Sequence, residues 1–273
     1  MIYEKAYAKL NFALAVGKEH DGYHEVENLM VPISLYDELF FHKSEDVRIE
    51  CEIEIKDNIC LKAIQLFKEK FHISEGVTVF LNKNIPIMAG LAGGSSDAAA
   101  TLRGLNRLFE TNATKDELNE IACKLGSDVP FFLQNKAALC IGRGEIVHPI
   151  DADFKNISFL LIKPNFGLST KEVYQNFKES NKDRTSIVKQ IIEAANEKDI
   201  QELDQLIFND LENVALDLSK ELKVLFDKID SLSYHPHISG SGPSIFILNA
   251  KTKDLENIRQ LDSQLNLFLC HTI

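Results

Sequence analysis

Three things are scarce in this sequence, and each scarcity narrows what the chain can be. Cysteine is sparse and scattered: Cys51, Cys60, Cys123, Cys140 and Cys270 are odd in number, far apart, and include no C-x-x-C pair. A disulfide framework and a zinc knuckle are therefore not indicated, and reduced thiols fit a cytosolic protein. Long apolar runs are also missing. No stretch approaches the roughly 20 residues of a membrane span. The opening MIYEKAYAKLNFALAV carries Lys5 and Lys9, with no uninterrupted apolar core or small-residue cleavage site. The expectation is a soluble cytoplasmic protein without a signal peptide or membrane partner. Positive charge is in deficit as well: 30 Lys and Arg stand against 41 Asp and Glu, a net charge of −11 over 273 residues. Nucleic acid and anionic membranes are held by clustered Lys and Arg, so neither is an expected partner. An anionic small molecule is still allowed, because a local pocket can be rich in amides or cations.

What is present is ordinary for a globular protein, 45% hydrophobic and 26% charged, at a length that suits one large domain or two modest ones. Residues 2–16 read as one or two strands. Asp21-Gly22 is a turn dipeptide, and LMVPISLYDELFFHK reads as strand, turn, strand. Strict alternation predicts a strand over 47–55, apolar residues at helical spacing predict a helix over 59–71, and VTVFLNKNI alternates again before Pro86. Helices are expected over 95–108, 115–125 (stopping at Gly126), 170–177, 186–196, 200–208 and 219–229, and within LENIRQLDSQL. ISFLLIKP reads as a central buried strand, HISGSGPSIFIL as a Gly-rich turn feeding a strand, and LFLCHTI as a last strand. Strands and helices interleave without a βαβ rhythm, so the fold class is α+β in two domains, 1–155 and 156–273, with the seam in the polar stretch 151–156. There are no internal repeats or low-complexity tracts.

The unusual segment is PIMAGLAGGSSDAAA, residues 86–100. Amides at a helix N-terminus lack intrahelical partners, and with the helix dipole they favour an anion. Glycines just before the helix let the backbone approach phosphate closely. The segment is neither a P-loop, since no Gly-Lys-Ser/Thr follows, nor G-x-G-x-x-G. On these residues alone a tight turn leading into a helix capped by Ser95, Ser96 or Asp97 serves equally well. His235-x-His237 could suggest a metal, but with no third ligand at sensible spacing the pair reads as loop or strand-end histidines.

PIMAGLAGGSSDAAATLRGLNRL resembles the central phosphate-loop motif of the GHMP kinases. AKLNFALAVG at 8–17 resembles their N-terminal substrate motif, and ISGSGPSIF at 238–246 their C-terminal Gly-rich motif. AKLN, DGYHE, GLAGGSSDAA, LGSDVPFFL and GRGE are together similar to the branch that phosphorylates a cytidine diphosphate-linked methylerythritol for non-mevalonate isoprenoid synthesis. The resemblance implies a ribosomal-protein-S5-like N-terminal domain, a ferredoxin-like C-terminal domain, and use of ATP with Mg²⁺. It implies Asp128 as catalytic base and Lys9 as its cationic partner. Asn11, Tyr23, His24, Thr170 and Tyr174 would bind the substrate, with Tyr174 opposing Tyr23 across the base. ATP would lie on Pro86, Met88, Ala89, Gly90, Leu91, Ala92, Gly93, Gly94, Ser95 and Ser96, with Asn58 and Lys83 towards adenosine. The metal would fall to Ser95 or Ser96, and the Gly240-Ser241-Gly242 turn would close the floor. Two departures carry conditions: Ala92 needs a negative φ, and Asp97 must point away from phosphate. A monomer or weak homodimer is expected. The competing readings are a homoserine, mevalonate or sugar kinase, a non-catalytic sensor on the same fold, and an unrelated anion-binding module. A sensor should have lost Lys9 or Asp128, and both are present.

Overall fold

The computed structural model describes residues 1–20, 22–178 and 184–273; Asp21 of the expected turn dipeptide lies outside them. The apolar N-terminal segments form a long antiparallel pair, β1 (Ile2–His20) and β2 (Tyr23–Ser44). The turn expected inside LMVPISLYDELFFHK does not form. Pro32, which cannot donate to a ladder, sits opposite Lys9 where the register shifts between Tyr7 and Lys9, and such an irregularity tolerates proline. Asp37 looks like a turn residue but is fully buried, its carboxylate accepting the Asn84 and Ile85 amides.

After β3 (Val47–Cys51), which ends earlier than the alternation suggests, come α1 (Ile59–Phe71), β4 (Gly76–Asn82), α2 (Gly93–Leu108), α3 (Lys115–Leu125) and the one-turn α4 (Val129–Phe132). The strands β5 (Ala138–Ile141) and β6 (Ile146–Pro149) close the first half. The second half runs β7 (Ser158–Lys163), α5 (Thr170–Asn176), α6 (Thr185–Glu197), α7 (Ile200–Leu206), β8 (Phe208–Asn209), α8 (Glu212–Leu218), α9 (Lys220–Ser231), β9 (His237–Ile238), β10 (Ile245–Leu248), α10 (Thr252–Arg259) and β11 (Asn266–His271). Helix α8 was not expected from the sequence.

The larger sheet has the order β3-β4-β2-β1-β8, with β5 on β2 and β6 on β5; the smaller is β11-β7-β10-β9. One apolar core, including Phe41, Phe67, Leu102 and Phe131, lies under α1, α2 and α3. Helix α2 packs close to the sheet because Gly104 has no side chain; a Cβ there would overlap the Phe41 ring. Arg103 pins the helix to β1 and α4, donating to the Lys5 carbonyl at 2.8 Å and the Phe132 carbonyl at 2.7 Å. A second core joins Leu10 and Phe12 of β1 to Phe154, Phe159 and Phe246, so the two halves share apolar packing. β8 also pairs in parallel with β1, Ala13 opposite Phe208. Among the described residues, no helix is long and apolar enough to cross a membrane.

Candidate active site

The phosphate loop differs from the sequence expectation in how it turns. Helix α2 starts at Gly93, its N-cap is Ala92 in the left-handed region at φ 54°, and no side chain caps it. Ala92 therefore carries the strain that a negative φ would have avoided, and Ser95, Ser96 and Asp97 lie inside the helix. First-turn amides without a side-chain cap suit an anion. Ser96 is buried and its hydroxyl donates to the Tyr7 carbonyl at 2.7 Å. It lines neither cavity described below. Of the two serines expected near a metal, only Ser95 does.

Asp97 neither points to solvent nor stands free beside phosphate. Lys83 Nζ donates to Asp97 Oδ2 at 2.6 Å and to Asp37 Oδ2, and all three side chains are buried. Burial works to lower the Lys83 pKa, but the two carboxylates outweigh it and hold the ammonium above its ordinary value. Burial pushes the Asp97 carboxyl upward, against the pull of Lys83, and Asp97 Oδ1 has no hydrogen-bond partner among the described residues. Lys83 lines the first cavity, yet its charge is committed to the wall and is not free for nucleotide.

The floor is a junction between the halves. Gly90 has φ 73°, and a Cβ there would run into the Ser239 carbonyl. Ser239 Oγ donates to the Gly90 carbonyl at 3.1 Å and to Asn11 Oδ1 at 3.3 Å. Lys9 Nζ donates to Asn11 Oδ1 at 2.5 Å and to the Gly90 carbonyl at 2.7 Å, while Asn11 Nδ2 donates to Asn28 Oδ1 at 2.7 Å. Lys9 and Asn11 share one face of β1, as their i, i+2 spacing requires. Asn11 thus orients Lys9 as well as facing the cavity. Burial lowers the Lys9 pKa to about 8, with the charge of Asp128 opposing.

A cavity of about 370 Å³ is lined by Lys9, Asn11, Asn58, Lys83, Pro86 and Met88, by residues 89–94, and by Asp97, Asp128, Thr170, Tyr174, Gly240 and Ser241. The Gly-rich turn of the second half thus contributes Gly240 and Ser241 to it. Asn58 also caps α1, accepting the Cys60 amide at 3.0 Å. A second cavity, about 600 Å³, is lined by Tyr23, His24, Ser95, Arg143 and Lys171, and by Asp128, Thr170 and Tyr174, which it shares with the first. Thr170 Oγ1 lies 2.8 Å from Ser241 Oγ. His24 Nδ1 is 3.0 Å from the Gly17 carbonyl, so in the neutral ring Nδ1 donates there and Nε2 is the acceptor. Tyr174 is raised above its usual phenol range by burial and then by the charge of Asp128. Its ring stands 5.8 Å from His24, whereas Tyr23 is 56% exposed with the Arg143 guanidinium 5.0 Å from its ring centre. Tyr23 and Tyr174, expected to oppose each other across a base, are both walls of this cavity.

Four contributors went unassigned in the sequence: Asp37, Asn28, Ser239 and Arg143. Asp37 meets Lys83 across 46 residues and Asn28 meets Asn11 across 17, so no local spacing marks them. Arg143 and Ser239 lie in GRGE and ISGSGPSIF, segments whose motif character was visible though these members had no role.

Residues 58–136 match the family model of the GHMP kinases N-terminal domain, and residues 191–263 match that of the GHMP kinases C-terminal domain. The chain belongs to the GHMP kinase family. Within it, the chain is 41% identical over 268 residues, 94% of each chain, to a Staphylococcus aureus protein provisionally named 4-diphosphocytidyl-2-C-methyl-D-erythritol kinase. It superposes on a crystal structure of 4-(cytidine 5'-diphospho)-2C-methyl-D-erythritol kinase with a TM-score of 0.82 at 28% identity, covering 99% of both chains. A homoserine kinase from Cytophaga hutchinsonii shares the fold, with a TM-score of 0.70 at 16% identity over 99% of this chain and 95% of that one.

Proposed function

We propose that this chain transfers the γ-phosphoryl group of ATP to the 2-hydroxyl of 4-diphosphocytidyl-2-C-methyl-D-erythritol, a step in non-mevalonate isoprenoid precursor synthesis. The observation that carries the assignment of roles is the position of Asp128. It lines both the amide-rich cavity at the start of α2 and the aromatic cavity holding Tyr23, His24 and Tyr174. A hydroxyl presented from the second compartment meets a γ-phosphate presented from the first at this carboxylate.

The chemistry follows from that placement. The hydroxyl oxygen forms a bond to Pγ while the bond from Pγ to the β–γ bridging oxygen breaks. ADP leaves, and the hydroxyl proton passes to Asp128 and then to solvent. Lys9 supplies a buried positive charge at the same wall, held in place by Asn11 and the Gly90 carbonyl. Residues 90–95 hold the phosphates through backbone amides. Tyr23 offers a stacking face for cytosine, and His24 Nε2 can accept from its amino group. Mg²⁺ bound with ATP would neutralise part of the phosphate charge. Ser95 Oγ and Asp97 Oδ1, which has no hydrogen-bond partner among the described residues, are oxygen donors that would hold it. The domain seam at 151–156, a monomer or weak homodimer, and a cytoplasmic location belong to the same reading.

The test is product identity. Incubation with ATP, Mg²⁺ and the cytidylated methylerythritol should yield one new phosphomonoester on the 2-oxygen by ³¹P NMR, in step with ADP. ATP consumption without that product would reject the proposal.

A further inference from the structure

His235-x-His237 lacks a third ligand in sequence, but the fold supplies one. Asp204 on α7 reaches both rings: its Oδ1 is 2.9 Å from His237 Nε2 and its Oδ2 is 3.0 Å from His235 Nδ1. We propose that Asp204, His235 and His237 form a binding site for a divalent transition-metal ion of the Zn²⁺ type, separate from the cavities that meet at Asp128.

Three features support this. The donor set is right: two imidazole nitrogens and one carboxylate oxygen, which suit Zn²⁺ and its neighbours in the transition series better than Mg²⁺ or Ca²⁺. The geometry is close: one ligand atom from each residue lies within 4.8 Å of the other two. Metal–ligand bonds of about 2.0–2.1 Å in a tetrahedron place the ligand atoms roughly 3.3 Å apart. Opening the present 2.9 and 3.0 Å contacts, which go to different oxygens of Asp204, and bringing the two ring nitrogens, now within 4.8 Å of each other, to that spacing would admit an ion. The surroundings also fit. His237 is buried, its ring lying between those of His235 at 4.5 Å and Phe246 at 5.2 Å, and so provides a fixed strand-side ligand. Asp204 and His235 open onto a cavity of about 600 Å³ that is also lined by Gln201, Gln205 and Asp230, leaving the fourth position to water.

The ion would join α7 to β9. The chain continues from β9 directly into Ser239, whose hydroxyl bonds the Gly90 carbonyl. A loaded site would therefore stiffen the strand that carries the floor of the catalytic cavity, without contributing a ligand to it.

The full chain, stripped with a chelator, should take up one equivalent of Zn²⁺ in a competition titration and rise in melting temperature on loading. With Co²⁺ as a coloured probe it should show d–d bands and no thiolate charge-transfer band, which separates this site from the five cysteines. His235→Ala and Asp204→Asn should each weaken Zn²⁺ binding by about tenfold or more and abolish the thermal shift. His235 is exposed, so the metal-free melt of His235→Ala should stay near wild type, and the Asp204→Asn thermal shift is read against that variant's own metal-free melt. Asp128→Asn should bind Zn²⁺ as wild type does. No stoichiometric uptake by wild type, equal uptake by both ligand variants, or a thiolate band would overturn the proposal; in the first case the cluster is only a hydrogen-bonded Asp–His pair.

Discussion

The two compartments that share Asp128 are built by different physics. The end proposed to hold phosphate is backbone and buried charge. Its loop is held open by Gly90 and a left-handed Ala92, its wall by the Asp37–Lys83–Asp97 cluster, and its floor by Ser239 on Gly90. The end proposed to hold the nucleoside is made of side chains at strand ends and on the short helix α5, including the half-exposed Tyr23 and the Arg143 that lies over it. Damage at the first end should therefore appear in stability as well as rate. Damage at the second should appear in the KM of one substrate and little else.

Asp128 belongs to both compartments and should give the largest effect. Asp128→Ala should lower turnover by about 10²–10⁴-fold. Its carboxylate makes no cap bond to α4, so melting and nucleotide binding should stay near wild type. Unchanged turnover would remove it from the mechanism. Next comes Lys83→Met, which leaves two carboxylates facing each other in the interior. It should cost about 3–5 kcal/mol in denaturant unfolding, whereas a free surface lysine would cost almost nothing. Gly90→Ala forces a side chain into the left-handed region against Ser239. It should cost about 1–3 kcal/mol and raise the KM for ATP. Tyr23→Ala should raise the KM for the cytidylated substrate by about tenfold and leave both stability and the KM for ATP alone. A rise in the ATP KM only would show that the compartments are wrongly divided.

The gentlest probe is pH. Burial lowers Lys9 to about 8, so its ammonium, the form that offsets phosphate charge, is lost as pH rises through that value. kcat/KM should have an alkaline limb near pH 8. A limb two units higher would mean that Lys9 is solvated and does not serve as the buried cation.

The same contrast explains what was legible in the sequence. The Gly-rich loop leading into α2 could be read because it is local: Gly90, Gly93, Gly94 and the start of the helix lie within a few residues. Helices α1 and α3 announced themselves by period, and Thr114 with Glu117 forms a capping box. What could not be read was pairing across the chain. Asp37 looked like a turn residue because its partners lie 46 to 48 residues away. Asp97 looked misplaced for want of Lys83, and the condition that Ala92 take a negative φ is not met, because the tertiary fold holds it left-handed. Nothing local revealed that His24 is the ring neighbour of Tyr174. The split of the net charge of −11 is another such case: Lys83 is internally neutralised, so in the proposed reading Lys9, Arg143, Lys171 and backbone amides are what the cavities offer to two polyanionic substrates.

The most direct measurement is a comparison of kcat/KM for ATP-dependent phosphorylation of 4-diphosphocytidyl-2-C-methyl-D-erythritol, mevalonate and homoserine by the wild-type chain. The expected result is a strong preference for the cytidylated substrate, largely erased by Tyr23→Ala through KM. Comparable or better turnover of mevalonate or homoserine would contradict the assignment of the second cavity to a cytidine nucleotide.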